Sequence, residues 1–268
     1  MSIGIVIKGP EGLVLAADSR ITLTAKPSSG RDIIVHYDNA HKVLNFAEPH
    51  KYVGAVTYGI GGIGMRSAYS FIPEFESELP NCRLSVKEFA ERLSDFFMKQ
   101  WKKTMPMPPD YKGPPMTFVV AGFNENEPYG RVYLIEIPQN PTPIEQHSQP
   151  GEFGITWGGQ REIVDRLIRG YDERVITILK KRLNLNETQV NELRQALGPL
   201  QMQIPIQYLP LQDCVDLAIF FIRTTIDAQR LTVGIRGCGG PIDVAIITRV
   251  EGFKFIQVKQ IHGETRVS

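Results

Sequence analysis

Short apolar runs separated by turn residues open the chain and predict a β-hairpin. Residues 3–7 and 13–17 are apolar, and the segment between them, Lys8-Gly9-Pro10-Glu11-Gly12, has the glycines and the proline of a turn. The same pattern predicts three more strand pairs, at 42–46 with 52–58, 117–123 with 131–137, and 243–249 with 253–258. Residues 154–157 predict a short single strand, whereas the polar segment 24–41 predicts a long loop.

Apolar residues at helical spacing predict helices between these strands. The predicted helices span residues 63–78, 85–103, 160–183, 186–197 and 211–225. The clearest pattern is that of 85–103, where Ser85 followed by Glu88 is a capping-box signal for a helix start. Asn186 is the predicted cap of the fourth helix, and five prolines between residues 105 and 115 predict a loop after the second.

The order of these elements predicts an α+β domain with helices outside antiparallel sheets. Hairpins are grouped between helices, whereas a parallel sheet would need strand and helix to alternate. The 268 residues, 42% of them hydrophobic and 22% charged, are typical of a globular domain with a sizeable core. We predict a single domain over residues 1–268, with an insertion at approximately 184–210.

Charge and residue counts argue against several classes of protein. The 30 Lys and Arg residues nearly balance the 29 Asp and Glu residues, so nothing favours a nucleic-acid or membrane-surface partner. The longest apolar runs, such as 217–222, are too short to span a bilayer, and no signal-peptide pattern precedes the first strand. We therefore predict a cytoplasmic protein. The three cysteines and five histidines lack metal-ligand spacing, so we predict no metal and no cofactor.

Two segments carry a resemblance to a known family. The run Ser2-Ile3-Gly4-Ile5-Val6-Ile7, followed by a turn and the stretch Ala17-Asp18-Ser19-Arg20, resembles the first hairpin of proteasome β-type subunits and their bacterial relatives. That family keeps a nucleophile at its N-terminus and an acidic residue at the end of the second strand. Ser2 and Asp18 have the family spacing, 18 − 2 = 16 residues, without a gap. The segment Gly239-Gly240-Pro241-Ile242-Asp243 is similar to the family's glycine-led last strands.

The resemblance implies a fold, an activity and a set of partners. The fold is a four-layer αββα sandwich of the N-terminal-nucleophile (Ntn) hydrolase type. The activity is hydrolysis of peptides or unfolded polypeptides inside a homo-oligomeric ring, with an ATPase unfoldase as a candidate partner. The implied site residues are Ser2, Asp18, Lys42, Gly59 and Asp227.

Ser2 is also a chemically plausible nucleophile in its own right. A serine hydroxyl needs a base to take its proton before it attacks well. A free α-amino group has a pKa of about 7.7–8.0, so the amine of an N-terminal serine can act as that base. The small side chain of Ser2 favours removal of Met1, which creates this arrangement. The rival interpretation is that Ser2 is an ordinary terminal residue.

The resemblance implies roles for the neighbouring residues. Lys42, at the start of the family's third strand, is the cation beside the nucleophile and pairs with Asp18; Lys51 is the rival. Gly59 offers its backbone N–H to the oxyanion, with Gly61 as the second choice.

Three positions depart from the family pattern. Cys238 stands in the place of a serine before the paired glycines, and Trp157 replaces a further family serine. Asp227, the candidate carboxylate near the terminal amine, lies before an apparent insertion that runs through Arg236. These departures favour a divergent bacterial branch over the proteasome proper. Cys238 as a nucleophile competes with the interpretation of a small buried cysteine.

Three other functions stay open. The segment Gly59-Ile60-Gly61-Gly62-Ile63-Gly64 matches the dinucleotide motif G-x-G-x-x-G, but the helix after it leads to another helix instead of a parallel strand. A non-catalytic assembly subunit and an Ntn amidase of small substrates both fit the resemblance. The absence of a helical pattern before Ile3 argues against the family's non-catalytic α-type subunits.

Overall fold

The computed structural model describes residues 2–25, 30, 33–234 and 236–263, apart from the side chains of residues 24 and 25. In chain order the strands are β1 (Ile3–Lys8), β2 (Leu13–Asp18), β3 (Ile21–Ala25), β4 (Ile33–Tyr37), β5 (Val43–Asn45), β6 (Val53–Gly59), β7 (Gly62–Ile63), β8 (Arg66–Ser67), β9 (Met116–Gly122), β10 (Arg131–Ile137), β11 (Asn140–Gln146), β12 (Gly154–Gly159), β13 (Ile242–Thr248) and β14 (Gly252–Gln257). The α-helices are α1 (Ile72–Ser77), α2 (Val86–Thr104), α3 (Glu162–Arg169), α4 (Arg174–Leu183), α5 (Glu187–Leu197) and α6 (Leu211–Leu231).

Two five-stranded antiparallel sheets form the middle of the fold. The first has the strand order β12–β1–β2–β13–β14, and the second has the order β11–β10–β9–β6–β5. Two smaller hairpins, β3–β4 and β7–β8, lie apart from these sheets. The chain therefore places its first two strands at the centre of the first sheet.

Side-chain alternation along β1 shows how the layers pack. Ile3, Ile5 and Ile7 share a core with α3 and α6, whereas Val6 lies in the core between the two sheets. Gly4 lets the sheets approach, because a Cβ there would lie 2.6 Å from Cγ1 of Val56 on β6. Both faces of β1 are buried, which is why its sequence is a nearly continuous apolar run.

Helices α1 and α2 cover the outer face of the second sheet. Phe75, Phe89, Phe97 and Trp101 are buried there against Phe118 of β9. The order of layers is therefore helix, sheet, sheet, helix. This confirms the predicted four-layer αββα sandwich.

The strand pairs predicted from apolar runs are all present. So are the capping boxes at the starts of α2 and α5, formed by Ser85 with Glu88 and by Asn186 with Gln189. Helix α5 lies within the segment predicted as an insertion. In the part of the chain that the structure describes, no helix is both long and apolar enough to cross a membrane.

Three local predictions are wrong. The predicted loop 24–41 contains strand β4, and residues 24 and 25 end β3, because the β-branched residues in these segments pair as a hairpin. The predicted helix 63–78 begins only at Ile72, with a proline in its first turn. The predicted helix 160–183 is broken where Gly170 takes the left-handed conformation, with φ of 79°, and ends α3.

Strand β11 is absent from the sequence prediction. Its prolines, Pro141 and Pro143, argue against a central strand, but β11 lies at the edge of the second sheet. An edge strand needs only one row of hydrogen bonds, so it tolerates proline.

Candidate active site

The first hairpin brings the start of β1 beside the end of β2. Gly4 lies opposite Ala17, so the next pair outward is Ile3 with Asp18. The backbone N–H of Ile3 donates to Oδ1 of Asp18 over 3.0 Å. Ser2 is 5% exposed, and its carbonyl accepts a hydrogen bond of 2.7 Å from the N–H of Gln160. Asp18 at the end of β2 and Gln160 just after β12 thus hold the backbone at the start of β1 from two sides.

Asp18 is the centre of a buried polar cluster. Its Oδ1 accepts from the Ile3 N–H and from Nζ of Lys42 at 2.7 Å. Its Oδ2 accepts from the N–H groups of Arg20 at 3.1 Å and Gly239 at 3.0 Å. Four donors, one of them a cation, match the acceptor capacity of an ionised carboxylate. Asp18 therefore connects β1, β2, the residue just before β5 and the loop before β13.

Lys42 completes a buried ion pair with Asp18. The Lys42 residue is 5% exposed, and its ammonium also donates to the Arg20 carbonyl at 2.5 Å. Burial lowers the pKa of Lys42, and the Asp18 carboxylate opposes that change. The rival cation, Lys51, instead forms a half-exposed salt bridge with Glu48. Lys42 is thus the lysine that the fold brings to Asp18.

A cavity of about 810 Å³ opens beside this cluster. Ser2, Lys42, Gly59 and Gly61 all line it. Gly59 has a φ of 88°, and any side chain there would collide with the Pro115 carbonyl, so only glycine fits this turn at the end of β6. Ser2, Lys42, Gly59 and Gly61 thus line one cavity. The oxyanion role of Gly59 stays a prediction.

The remaining cavity walls are largely apolar. They include Ile21, Leu23 and Tyr37 from the β3–β4 hairpin, and Met65 and Tyr69 from the segment after β7. Among the described lining residues there is no carboxylate. The cavity therefore favours a neutral apolar group next to Ser2.

The structure does not bring Asp227 to this cluster. Its carboxylate is 45% exposed on α6 and lies 3.6 Å from Arg230 of the same helix. Gln229 faces the site instead, because two residues along an α-helix turn the side chain by about 200°. Its Oε1 accepts from the N–H of Cys238 at 2.9 Å, and its Nε2 donates to Oε1 of Gln160 at 3.1 Å.

Gln229 is a further candidate residue that sequence reasoning missed. Its amide connects the loop at Cys238 with Gln160, whose N–H holds the Ser2 carbonyl. The resemblance implies an acidic residue here, which favours Asp227 in the sequence, but Asp227 and Gln229 lie on different faces of α6. A neutral amide therefore stands close to where the resemblance implies a carboxylate.

Cys238 lies beside Asp18 but is held as a thiol. It is 2% exposed, and burial followed by the Asp18 carboxylate raises its pKa, while the Lys42 cation opposes this. A nucleophilic cysteine needs a lowered pKa. These surroundings favour the interpretation of a buried structural cysteine.

No group of three or more His, Cys, Asp or Glu side chains within the described ranges is arranged to hold a metal ion. The G-x-G-x-x-G segment also departs from a dinucleotide site. After β6 it forms the β7–β8 hairpin before any helix begins, whereas the dinucleotide motif opens a helix directly.

Comparison with known proteins shows which solved structures share this fold. No protein-family model matches the sequence, and no curated protein sequence matches it significantly. Among the solved structures that match, two cover nearly the whole chain. A Gly-1 mutant of Anbu from Hyphomicrobium sp. strain MC1 has a TM-score of 0.57 and 15% identity, with 99% of this chain and 89% of that chain covered.

The chain has the fold of Anbu, a bacterial proteasome-like protein. The second match is Anbu from Pseudomonas aeruginosa, with a TM-score of 0.55 and 16% identity, over 92% of this chain and 81% of that one; its structure is described as a helical assembly of the Anbu complex. At these sequence identities, the similarity to Anbu establishes the proteasome-like fold. It does not assign roles to individual residues of this chain.

Proposed function

We propose that this chain is an N-terminal-nucleophile hydrolase that cleaves peptide bonds with Ser2. The observation that carries the proposal is the buried Asp18–Lys42 ion pair, which lies next to the start of β1 at the wall of a large cavity. A buried lysine of lowered pKa beside a candidate nucleophile is characteristic of functional sites. The Anbu-like fold supports the same class of enzyme.

The reaction begins with the terminal amine. Once Met1, which lies outside the described residues, is removed, the α-amine of Ser2 accepts the hydroxyl proton and Oγ attacks the substrate carbonyl. Lys42 disfavours a second positive charge nearby and so keeps the amine neutral. The backbone N–H of Gly59 donates to the oxyanion.

Collapse of the tetrahedral intermediate then divides the substrate. The amine returns its proton to the leaving nitrogen, and the acyl group stays on Oγ of Ser2 as an ester. Water deprotonated by the same amine hydrolyses that ester and regenerates the hydroxyl. Asp18 holds Lys42 in place throughout.

Substrates with a neutral apolar residue before the scissile bond are expected to react fastest. The cavity lacks a described carboxylate that would pair with a basic side chain, and Lys42 and Arg66 both line it. Fluorogenic peptides that end in Leu or Tyr should be cleaved at least about tenfold faster than matched peptides that end in Arg. Purified Ser2→Ala protein is the control for contaminating proteases. Equal or faster cleavage of the Arg peptide would rule out this cavity as the substrate site.

The proposal includes assembly into a homo-oligomer. Large apolar side chains are exposed on the β3–β4 hairpin, where Leu23 is 52%, Ile33 54% and Tyr37 60% exposed. Such a patch is typical of a protein contact surface. The helical assembly described for the Pseudomonas aeruginosa Anbu complex supports self-association of this fold. Cytoplasmic location and an ATPase unfoldase partner belong to the same proposal.

Size-exclusion chromatography with light scattering should therefore show a mass of several subunits at micromolar concentration. Replacing Leu23 and Ile33 with serine should reduce that mass, because it removes apolar contact area. The matched control replaces Leu183 and Val250, which are 62% and 81% exposed outside the hairpin, in the same way. A monomeric wild-type protein would contradict a compartmental peptidase.

A non-catalytic assembly subunit is the second candidate. The observation in its favour is the neutral amide of Gln229, which bonds to Cys238 and to Gln160, the residue whose N–H holds the Ser2 carbonyl. This candidate predicts the same oligomer but no covalent reaction at Ser2, so a labelling experiment separates the two.

A further inference from the structure

A second buried ion pair lies in the described part of the chain, and no step of the proposed reaction uses it. The side chains of Asp243 and Lys259 are 2% and 6% exposed. Nζ of Lys259 pairs with Oδ2 of Asp243, and the Lys259 backbone N–H donates to Oδ1 over 3.0 Å. The neighbours of Lys259 in sequence, Val258 and Gln260, are exposed. Lys259 thus anchors the segment after β14 to β13 through both its backbone and its side chain.

The strand register places this pair close to the candidate site. On β13, Ile242 lies opposite Asp18 and Asp243 lies opposite Ala17. Side chains alternate along a strand, so Asp243 points to the same face as Ala245, which belongs to the core between the sheets. Val43, the first residue of β5, belongs to that core as well, and β5 packs against β13. The pair therefore lies in the layer where β5 begins.

The segment just before β5 carries the lysine of the site and one wall of the cavity. His41 and Lys42 both line the cavity, and the ring of His41 stacks on Tyr69 with centroids 4.5 Å apart. Burial lowers the pKa of His41, the Lys259 cation lowers it further, and the Asp243 carboxylate raises it. Burial lowers the pKa of Lys42, Asp18 opposes this, and Lys259 adds to the lowering. Lys259 thus contributes to the pKa directions of both His41 and Lys42.

We propose that Lys259 is a positioning residue of the Ser2 site, which brings a second buried cation to the His41–Lys42 wall and, with Asp243, sets the electrostatic potential there. The effect of Lys259 on catalysis rests on the proposed function, in which the Ser2 amine must be neutral to act as a base. A cation on this side favours the neutral amine. Other titratable or charged groups around this wall are Asp18, Arg20, Asp38, Tyr58, Arg66, Tyr69 and Cys238.

The first test titrates His41, and it does not depend on catalysis. Diethyl pyrocarbonate reacts with imidazole in its neutral form but not in its protonated form. The rate of modification at His41, followed by peptide mass spectrometry across pH, therefore reports the titration midpoint of the His41 side chain. Lys259→Met should raise the midpoint by about 0.5–1 unit, because a cation is lost and a carboxylate stays. Asp243→Asn should lower it. The double variant, which keeps neither charge, should titrate close to the wild type.

Lys8→Met is the matched control. Lys8 is also a buried lysine, bonded to the carbonyl of His147, but it lies at the opposite end of β1, about 20 Å from Ser2. It should leave the His41 midpoint in place. A purely structural role for Lys259 predicts loss of folded protein in the single variants but no shifts of opposite sign.

The second test follows the pH dependence of electrophile labelling at Ser2 in the same variants. Lys259→Met should move the inflection to higher pH, and Lys259→Arg should keep it at the wild-type value. An unmoved His41 midpoint in folded Lys259→Met protein overturns this inference and leaves the proposed function intact. If Lys259→Met does not fold, Asp243→Asn decides, and an unmoved midpoint there overturns the inference in the same way. Wild-type protein that is not labelled at Ser2 overturns the proposed function. The His41 titration still tests the inference about Lys259 in that case.

Discussion

Ser2→Ala is expected to abolish covalent labelling by an electrophile that traps N-terminal hydroxyl nucleophiles. The substitution removes the attacking oxygen, and loss of a catalytic serine costs at least about 10³-fold in rate. It removes little volume and leaves the Ser2 carbonyl bonded to the N–H of Gln160, so the fold should be unchanged. The measurement is the rate of adduct formation by mass spectrometry, with circular dichroism as the check on folding.

Ser2→Thr is the matched control for that experiment. It keeps both the hydroxyl and the amine, so labelling should persist within about tenfold of the wild-type rate. Undiminished labelling of the Ser2→Ala protein would mean that another group attacks, and Cys238 would be the first to examine.

Asp18→Asn is expected to cause the largest loss of stability. Both carboxylate oxygens of Asp18 accept from N–H donors, so the NH₂ of an asparagine would face donors in either orientation. The substitution also leaves Lys42 buried without a counter-ion. Breaking a buried pair in this way costs about 3–5 kcal/mol in the free energy of unfolding, measurable by denaturant titration.

Lys42→Met should separate stability from reaction rate. It keeps the bulk of the side chain, and Asp18 retains its three backbone donors, so the loss of stability should be smaller than for Asp18→Asn. The labelling rate should still fall by about 10²–10³-fold, because the cation beside the terminal amine is gone. Lys51→Met, which removes a surface cation paired with Glu48, should label at the wild-type rate.

The double variant Asp18→Asn with Lys42→Met tests whether the two residues act as a pair. It should be more stable than Asp18→Asn alone, because no buried charge is left without a partner, yet it should stay unreactive. Additive losses of stability would show that the two side chains are energetically independent, which would contradict the ion pair as the organiser of the site.

The local part of the site was predictable from sequence. An antiparallel hairpin with a short turn necessarily places its first and last residues together, so the 16-residue spacing from Ser2 to Asp18 carried geometric information. The choice of Lys42 came from the resemblance, which implies a lysine at the start of the family's third strand. The structure places its Nζ 2.7 Å from Oδ1 of Asp18. Apolar runs and capping boxes likewise gave most element positions.

The parts that failed depend on contacts distant in sequence or on single backbone conformations. Gln229 and Asp227 lie on different faces of α6. The sequence does not show which of these faces packs against the segment at Cys238. Lys259 reaches Asp243 from a segment with no pattern of its own. The break at Gly170 rests on one left-handed residue within an otherwise continuous helical pattern.

The intact mass of the protein, measured before and after reaction with a peptide electrophile, tests the central claim most directly. The proposed mechanism predicts a chain that lacks only Met1 and gains one adduct, which peptide mapping places on Ser2. A chain that retains Met1, or an adduct confined to another residue such as Cys238, would contradict an N-terminal serine nucleophile.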